Sequence, residues 1–171
     1  MSSTTEINKP GTQETLVKMV LDAWHGTTKR MTAALDSLTD EELQREASPN
    51  RNTGTYLLGH LTAVHDAMLP LLGFGDKLYP HLEKPFIATP DKAEVEKPTV
   101  SELRQHWKAV NEKLNQHIAA LKPADWFTKH SSVSAEDFEK EPYRNKLNII
   151  LGRTNHLNYH LGQFTFVKEK K

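Results

Sequence analysis

The sequence predicts an all-α protein, a four-helix bundle with a long connection between its second and third helices. Apolar residues recur at three- and four-residue spacing in four segments of roughly 20 to 27 residues, which is typical of bundle helices. No segment shows the two-residue alternation of a strand. The 171 residues are enough for one domain with its own core. We expect a flexible lead-in over residues 1–11 and a single bundle domain over residues 12–171.

The first two helices follow from their apolar stripes and capping residues. The first is predicted over about residues 12–38, and a short helical turn with Thr39 as its N-cap follows over residues 39–43. The second helix is predicted from near Thr53 to Leu72, where Gly73 supplies a favourable C-terminal residue.

The last two helices are bounded by different signals. Thr99 and Glu102 have the spacing of a capping box, and a near-heptad apolar run from Leu103 ends just before Pro123. A polar linker is predicted over residues 129–141. Pro142 suits the first turn of a fourth helix, whose apolar stripe continues to residue 167.

Composition excludes several classes of function. Lys and Arg together number 22, as do Asp and Glu, so the formal charge is zero with histidine neutral. This balance favours neither a nucleic-acid partner nor an anionic membrane. The absence of cysteine excludes disulfides, thiol nucleophiles and cysteine-based zinc sites. The polar first residues lack a signal core, and no apolar stretch is long enough to span a bilayer, so we expect a cytoplasmic protein.

Three histidines are the candidate metal ligands. His156 and His160 are four residues apart, which places both imidazoles on one helix face about 6 Å apart. His60 lies in the second helix between Gly59 and Leu61, and we expect the small glycine to leave room for its imidazole. Three neutral imidazoles leave a tetrahedral metal with one open position, as in catalytic sites. The residues alone leave open a simpler alternative, in which these histidines only hydrogen-bond neighbouring side chains.

Other metal sites and other histidines fit less well. Leu157 stands where the zinc-peptidase motif requires glutamate, and no Glu-x-x-His pair of a di-iron bundle occurs. His65 is five positions from His60, about 140° around the helix, so we expect it beside the site or at the surface. Five more histidines are expected to be ordinary surface residues: His25, His81, His106, His117 and His130.

These motifs resemble those of the DinB-like superfamily of metal-binding four-helix bundles, which includes the YfiT-like proteins. Its hallmarks are a histidine before leucine in the second helix and the string His-x-x-x-His-x-Gly-Gln in the fourth, here from His156 to Gln163. The resemblance implies that His60, His156 and His160 bind zinc or nickel. It also implies that Gln163 orients a ligand and that Gly162 permits close approach of a neighbouring helix.

The resemblance implies a function in broader terms. Relatives of this kind transfer low-molecular-weight thiols such as bacillithiol or mycothiol, or isomerise with a thiol cofactor. The first hypothesis is therefore a metal-dependent enzyme that transfers a small thiol to an electrophile, or hydrolyses a small substrate through metal-bound water or thiolate. The alternative is a non-catalytic metal- or ligand-binding bundle with a stress-related or scaffold role. The sequence does not decide whether the protein is catalytic.

Further expectations concern the surroundings of the site and the partners of the protein. Residues 73–98 contain Pro80, Pro85, Pro90 and Pro98 and show no apolar period, so we predict that they pass over or beside the open end of the metal pocket. A small-molecule substrate and a homodimer are expected. Arginines near the ligand helices could bind the carboxylates of a thiol cofactor: Arg51, Arg144 and Arg153.

Overall fold

A computed structural model describes residues 11–168, and every regular element in that range is helical. Residues 1–10 of the predicted lead-in and residues 169–171 lie outside the described range. Seven α-helices occur in chain order: α1 (Thr12–Asp36), α2 (Asp40–Leu43), α3 (Gly54–Asp66), α4 (Met68–Leu72), α5 (Val100–Ala120), α6 (Ala135–Lys140) and α7 (Lys146–Val167). Short 3₁₀ segments lie at Pro80–Leu82 and Pro123–Phe127, and a π-helical turn lies at Lys84–Ala88. The predicted all-α class is confirmed.

The four long helices pack as two pairs that share one core. α1 lies along α7, α3 lies along α5, and α3 also contacts α7. All four contribute fully buried side chains: Trp24, Met31, Leu58, Leu61, Leu103, Leu114, Ile150 and Leu157. A cavity of about 900 Å³ lies between α1 and α5. None of the helices in the described range is long and apolar enough to cross a membrane.

The two predicted helix caps, Thr39 and Thr99, are present, and Thr53 caps α3 in the same way. The Thr39, Thr53 and Thr99 hydroxyl oxygens each accept a hydrogen bond from the backbone N–H three residues on. The carboxylate of Glu102 accepts a hydrogen bond from the Thr99 backbone N–H at 2.8 Å, which completes the capping box of α5. These contacts satisfy amide groups that would otherwise lack partners at the helix starts.

The predicted second helix is divided into α3 and α4 at Ala67. Pro70 explains the break, because its ring clashes with the carbonyl of the residue four positions earlier and it has no N–H to donate. That residue is Asp66, at which α3 ends. Gly73, with φ of 77°, ends α4 in the left-handed conformation as expected.

The prediction that Pro142 lies in the first turn of the fourth helix was wrong. α7 begins at Lys146 and is capped by Asn145, whose side-chain oxygen accepts a hydrogen bond from the Asn148 N–H at 3.0 Å. Pro142 lies instead in a turn before the helix, in which the Arg144 N–H donates to the Glu141 carbonyl at 2.9 Å. The polar linker before it also contains a short helix, α6, with Ser134 as its N-cap.

The connection from residue 73 to residue 98 is fixed against α3. The carboxylate of Asp66, only 1% exposed, accepts hydrogen bonds from the Leu78 and Tyr79 N–H groups at 2.7 and 2.8 Å. The Tyr56 hydroxyl donates to the Thr89 carbonyl at 2.7 Å. Because Asp66 lies at the end of α3 and Tyr56 near its start, the connection is tied to α3 at two places.

Gly59 is required by a neighbouring aromatic ring. A Cβ atom at this position would lie 2.3 Å from the ring of Phe86, which is fully buried in the π-helical turn. The sequence-based expectation that Gly59 makes room for the His60 imidazole was therefore wrong in its cause. The missing side chain makes room for Phe86.

His65 is fully buried, so the expectation that it could lie at the surface was also wrong. Its ring lies between Trp24 and Trp107, with centroid distances of 4.9 and 4.8 Å. Its Nδ1 is 3.0 Å from the side-chain oxygen of Asn111. Burial lowers the pKa of His65 to about 3, and nearby His156 contributes to the shift in the same direction.

The first prediction concerns Gly59→Ala. Overpacking against Phe86 should lower the free energy of unfolding by about 1–3 kcal/mol, since a buried ring cannot move without disturbing the core. Gly152→Ala is the matched control. A Cβ atom at Gly152, which lies in α7, would meet no neighbouring group within 4 Å. Urea denaturation of both variants measures the effect. Equal stability of the two variants would contradict the contact with Phe86.

The second prediction concerns pH. The unfolded chain binds a proton at His65 below about pH 6.5, whereas the folded chain does not until about pH 3. The free energy of unfolding should therefore fall as pH decreases from 6.5 towards 3, with this residue contributing a slope of up to about 1.4 kcal/mol per pH unit. Denaturation of chelator-treated protein at several pH values in this range measures the effect. The free energy of unfolding of His65→Leu should depend less steeply on pH than that of the parent. The same change at exposed His25 should keep the parent slope, and an unchanged slope in His65→Leu would refute the prediction.

Candidate metal centre

The structure brings the three predicted histidines together where α3 meets α7. The Nε2 atom of His156 lies 3.3 Å from that of His60 and 3.1 Å from that of His160. One ring nitrogen from each residue lies within 4.8 Å of the other two. The four-residue spacing on α7 places His156 and His160 side by side, and the packing of α3 against α7 adds His60.

Hydrogen bonds to the other ring nitrogens define the protonation of two imidazoles. His60 Nδ1 lies 2.9 Å from the Phe86 carbonyl oxygen, and His160 Nδ1 lies 2.8 Å from the Gln163 Oε1. Because these oxygens can only accept, each Nδ1 carries the proton and donates it. With the proton on Nδ1, the Nε2 atom of each of these imidazoles is the one that can present a lone pair to the shared point.

The surroundings of His156 and His160 favour the neutral forms of these two imidazoles. The pKa of His156 is lowered to about 4, chiefly by burial, and the neighbouring His160, His60 and Arg153 contribute to this shift in that order of size. Burial is also the main cause that lowers the pKa of His160. Neutral imidazole is the form that binds metals.

A divalent metal fits this donor set. His156 has one proton to share, so its Nε2 could satisfy only one of the two lone pairs that face it, while its Nδ1 is buried without a partner. A cation satisfies all three Nε2 lone pairs at once. Within residues 11–168 no further histidine or carboxylate joins the group, so three imidazoles could hold a metal with one position open.

A pocket of about 320 Å³ adjoins the histidines. His60 and His156 form part of its wall, and the connection from residue 73 to residue 98 contributes Lys77, Tyr79, Pro80, Glu83 and Ile87. This confirms that the connection passes beside the pocket and does not form a fifth core helix. The same segment also inserts Leu82 and Phe86 into the core, which sequence reasoning missed.

The remaining predicted site residues have different outcomes. The contact of Gln163 with His160 is present. Gly162 is exposed and no atom lies within 4 Å of its would-be Cβ, so the predicted close helix approach was wrong. Among the candidate arginines, Arg153 lines the pocket, whereas Arg144 forms a salt bridge with Glu141 at 3.1 Å. Arg51 is exposed and does not line the pocket.

Three of the five histidines expected at the surface are partly buried. His106 stacks on Tyr79 with a centroid distance of 3.8 Å, and His117 stacks on Phe74 at 4.9 Å. His130 is also half-buried, whereas His25 and His81 are exposed as expected. None of the five belongs to the metal-binding group.

Comparison with known proteins places the chain in a family. The sequence model of the DinB superfamily matches residues 23–164, a range that contains all three histidines. No curated protein matches the sequence. The crystal structure of a conserved protein from Enterococcus faecalis is similar, with a TM-score of 0.61 and 16% sequence identity over 88% of this chain and 93% of the other. That likeness supports the fold alone, and the sequence match shows that the chain belongs to the DinB superfamily.

Proposed function

We propose that this protein is a metal-dependent enzyme that transfers a low-molecular-weight thiol to a small electrophilic substrate. His60, His156 and His160 would hold one zinc or nickel ion through their Nε2 atoms. The observation that carries the proposal is the convergence of these atoms, within 3.3 Å of His156 Nε2, beside a pocket. Imidazole ligands suit zinc and nickel alike, so the residues do not select between them.

The open side of the cluster favours catalysis over a structural role. A structural zinc site normally has four protein ligands, whereas a catalytic site keeps one position for water or substrate. Here the three histidines have no fourth protein donor in the described part of the chain, and the pocket of about 320 Å³ adjoins them. That volume is at the lower end of the range for small-molecule sites.

The metal, the groups that hold its ligands and the residues that line the pocket would have different roles. A divalent metal supplies positive charge that lowers the pKa of a thiol or water molecule reaching the open position. The Phe86 carbonyl and the Gln163 amide would keep His60 and His160 in the correct tautomer and orientation. Tyr79 and Ile87 would form walls of the pocket around a small substrate.

Metal analysis followed by a thiol-transfer screen tests this function. Protein purified without added metal should contain close to one zinc or nickel ion per chain. The metal-loaded protein should then accelerate the reaction of monochlorobimane with one of four thiols: cysteine, glutathione, bacillithiol or mycothiol. Chelator-treated protein is the control. Stoichiometric metal without transfer of any thiol would favour hydrolysis or the non-catalytic metal-binding alternative, and absence of metal binding would overturn the proposal.

His156→Ala separates metal binding from folding. The loss of one ligand should weaken zinc binding by more than about a hundredfold, since removing even an outer-shell partner costs 10–100-fold. The bundle should keep its helical content, because its core is built from residues of all four long helices. Circular dichroism and metal content measure the two effects, with His25→Ala as the exposed control. Unfolding on metal removal would indicate a structural site instead.

A further inference from the structure

We propose that Arg153 binds a carboxylate of the substrate in the pocket beside the three histidines. This inference rests on the proposed function and specifies the class of molecule that the pocket accepts. The ligand would be a small molecule with one carboxylate group, either the electrophilic substrate or the thiol that is transferred to it. Its metal-binding atom would face the histidines while its carboxylate meets the guanidinium.

Arg153 is positioned by α7 next to the cluster. It lies three residues before His156, and His160 follows four residues later, so the three side chains occupy one face of the helix. Arg153, His60 and His156 all line the pocket of about 320 Å³. The Arg153 backbone is therefore about one helical turn before that of His156, and both side chains reach the same pocket.

The guanidinium of Arg153 has no protein partner in the described part of the chain. It is half-buried, yet it makes no hydrogen bond or ion pair with any of residues 11–168. Burial lowers the pKa of Arg153, but a guanidinium stays protonated in proteins. Burying a charge without a partner is costly, and an arginine held this way beside a pocket is suited to bind an anionic ligand.

The other lysine and carboxylate side chains that line the pocket already have ion-pair or hydrogen-bond partners. Lys77 forms a salt bridge with Glu83 at 2.5 Å. Both oxygens of Asp66 accept backbone N–H groups of Leu78 and Tyr79. Arg153 is therefore the one lysine, arginine or carboxylate lining the pocket that has neither a hydrogen bond nor an ion pair within residues 11–168, and a carboxylate ligand would supply that partner. The planar fork of arginine can bind both oxygens of a carboxylate at once.

Two pairs of probes test this proposal on cobalt-loaded protein, whose absorption spectrum reports ligand binding to the metal. The first pair is 3-mercaptopropionate and 1-propanethiol, which differ in the carboxylate. The second pair is succinic acid monohydroxamate and butyrohydroxamate, which bind metals without a thiol. The parent should bind the charged member of the hydroxamate pair at least about tenfold more tightly, the typical strength of a charge-assisted hydrogen bond.

Variants at the same position assign the preference to the guanidinium. Arg153→Gln should lose the preference for the charged probes, and Arg153→Lys should keep part of it because the charge remains without the fork. Cobalt uptake by Arg153→Gln should equal or exceed that of the parent, since a positive charge near the metal has been removed. Arg144→Gln, whose guanidinium pairs with Glu141, is the matched control and should behave like the parent.

The outcomes separate this inference from the proposed function. Arg153-dependent preference among hydroxamates without binding of either thiol would support the carboxylate site and count against thiol transfer. Equal binding of charged and uncharged probes by the parent, or an unchanged preference in Arg153→Gln, would overturn the inference while leaving the metal site intact. Failure of the parent to take up cobalt would overturn both.

Discussion

Three imidazole Nε2 atoms that face one another, with at most one proton among them, are the constraint on which the site depends. Such an arrangement is unfavourable unless a cation lies between the lone pairs, and it persists only if the rings are fixed in orientation. The Phe86 carbonyl and the Gln163 amide provide that fixation through the outer nitrogens of His60 and His160. These two contacts come from different parts of the chain, one from the connection after α4 and one from α7 itself.

The position of the Phe86 carbonyl depends in turn on α3. The ring of Phe86 packs against Gly59, directly before His60 in the chain. Asp66 and Tyr56 tie the rest of the connection to α3 by hydrogen bonds to its backbone. One helix therefore supplies a candidate ligand, the space for the residue that orients this ligand, and the anchors for a wall of the pocket. The core of the four long helices supports this arrangement without using the histidines themselves.

Much of this architecture was predictable from local sequence signals. Apolar periodicity identified the four long helices, Thr99 marked the start of α5, and the spacing of His156 and His160 placed them on one face. Features that depend on distant contacts were not predictable. The Phe86 carbonyl has no side-chain signature, Gly59 is explained only by a ring 27 positions later in the sequence, and the burial of His65 depends on tryptophans from α1 and α5. The lack of a partner for Arg153 could not be read from the sequence, because it depends on where all the neighbouring side chains lie in the fold.

X-ray absorption spectroscopy at the metal edge of the natively loaded protein tests the central claim most directly. The claim predicts three imidazole nitrogens at about 2.0–2.1 Å if the metal is zinc, together with one oxygen donor from solvent. Multiple-scattering features of imidazole should be present in the parent and reduced by a third in His156→Ala. A spectrum without imidazole scattering, or with only oxygen donors, would contradict the account.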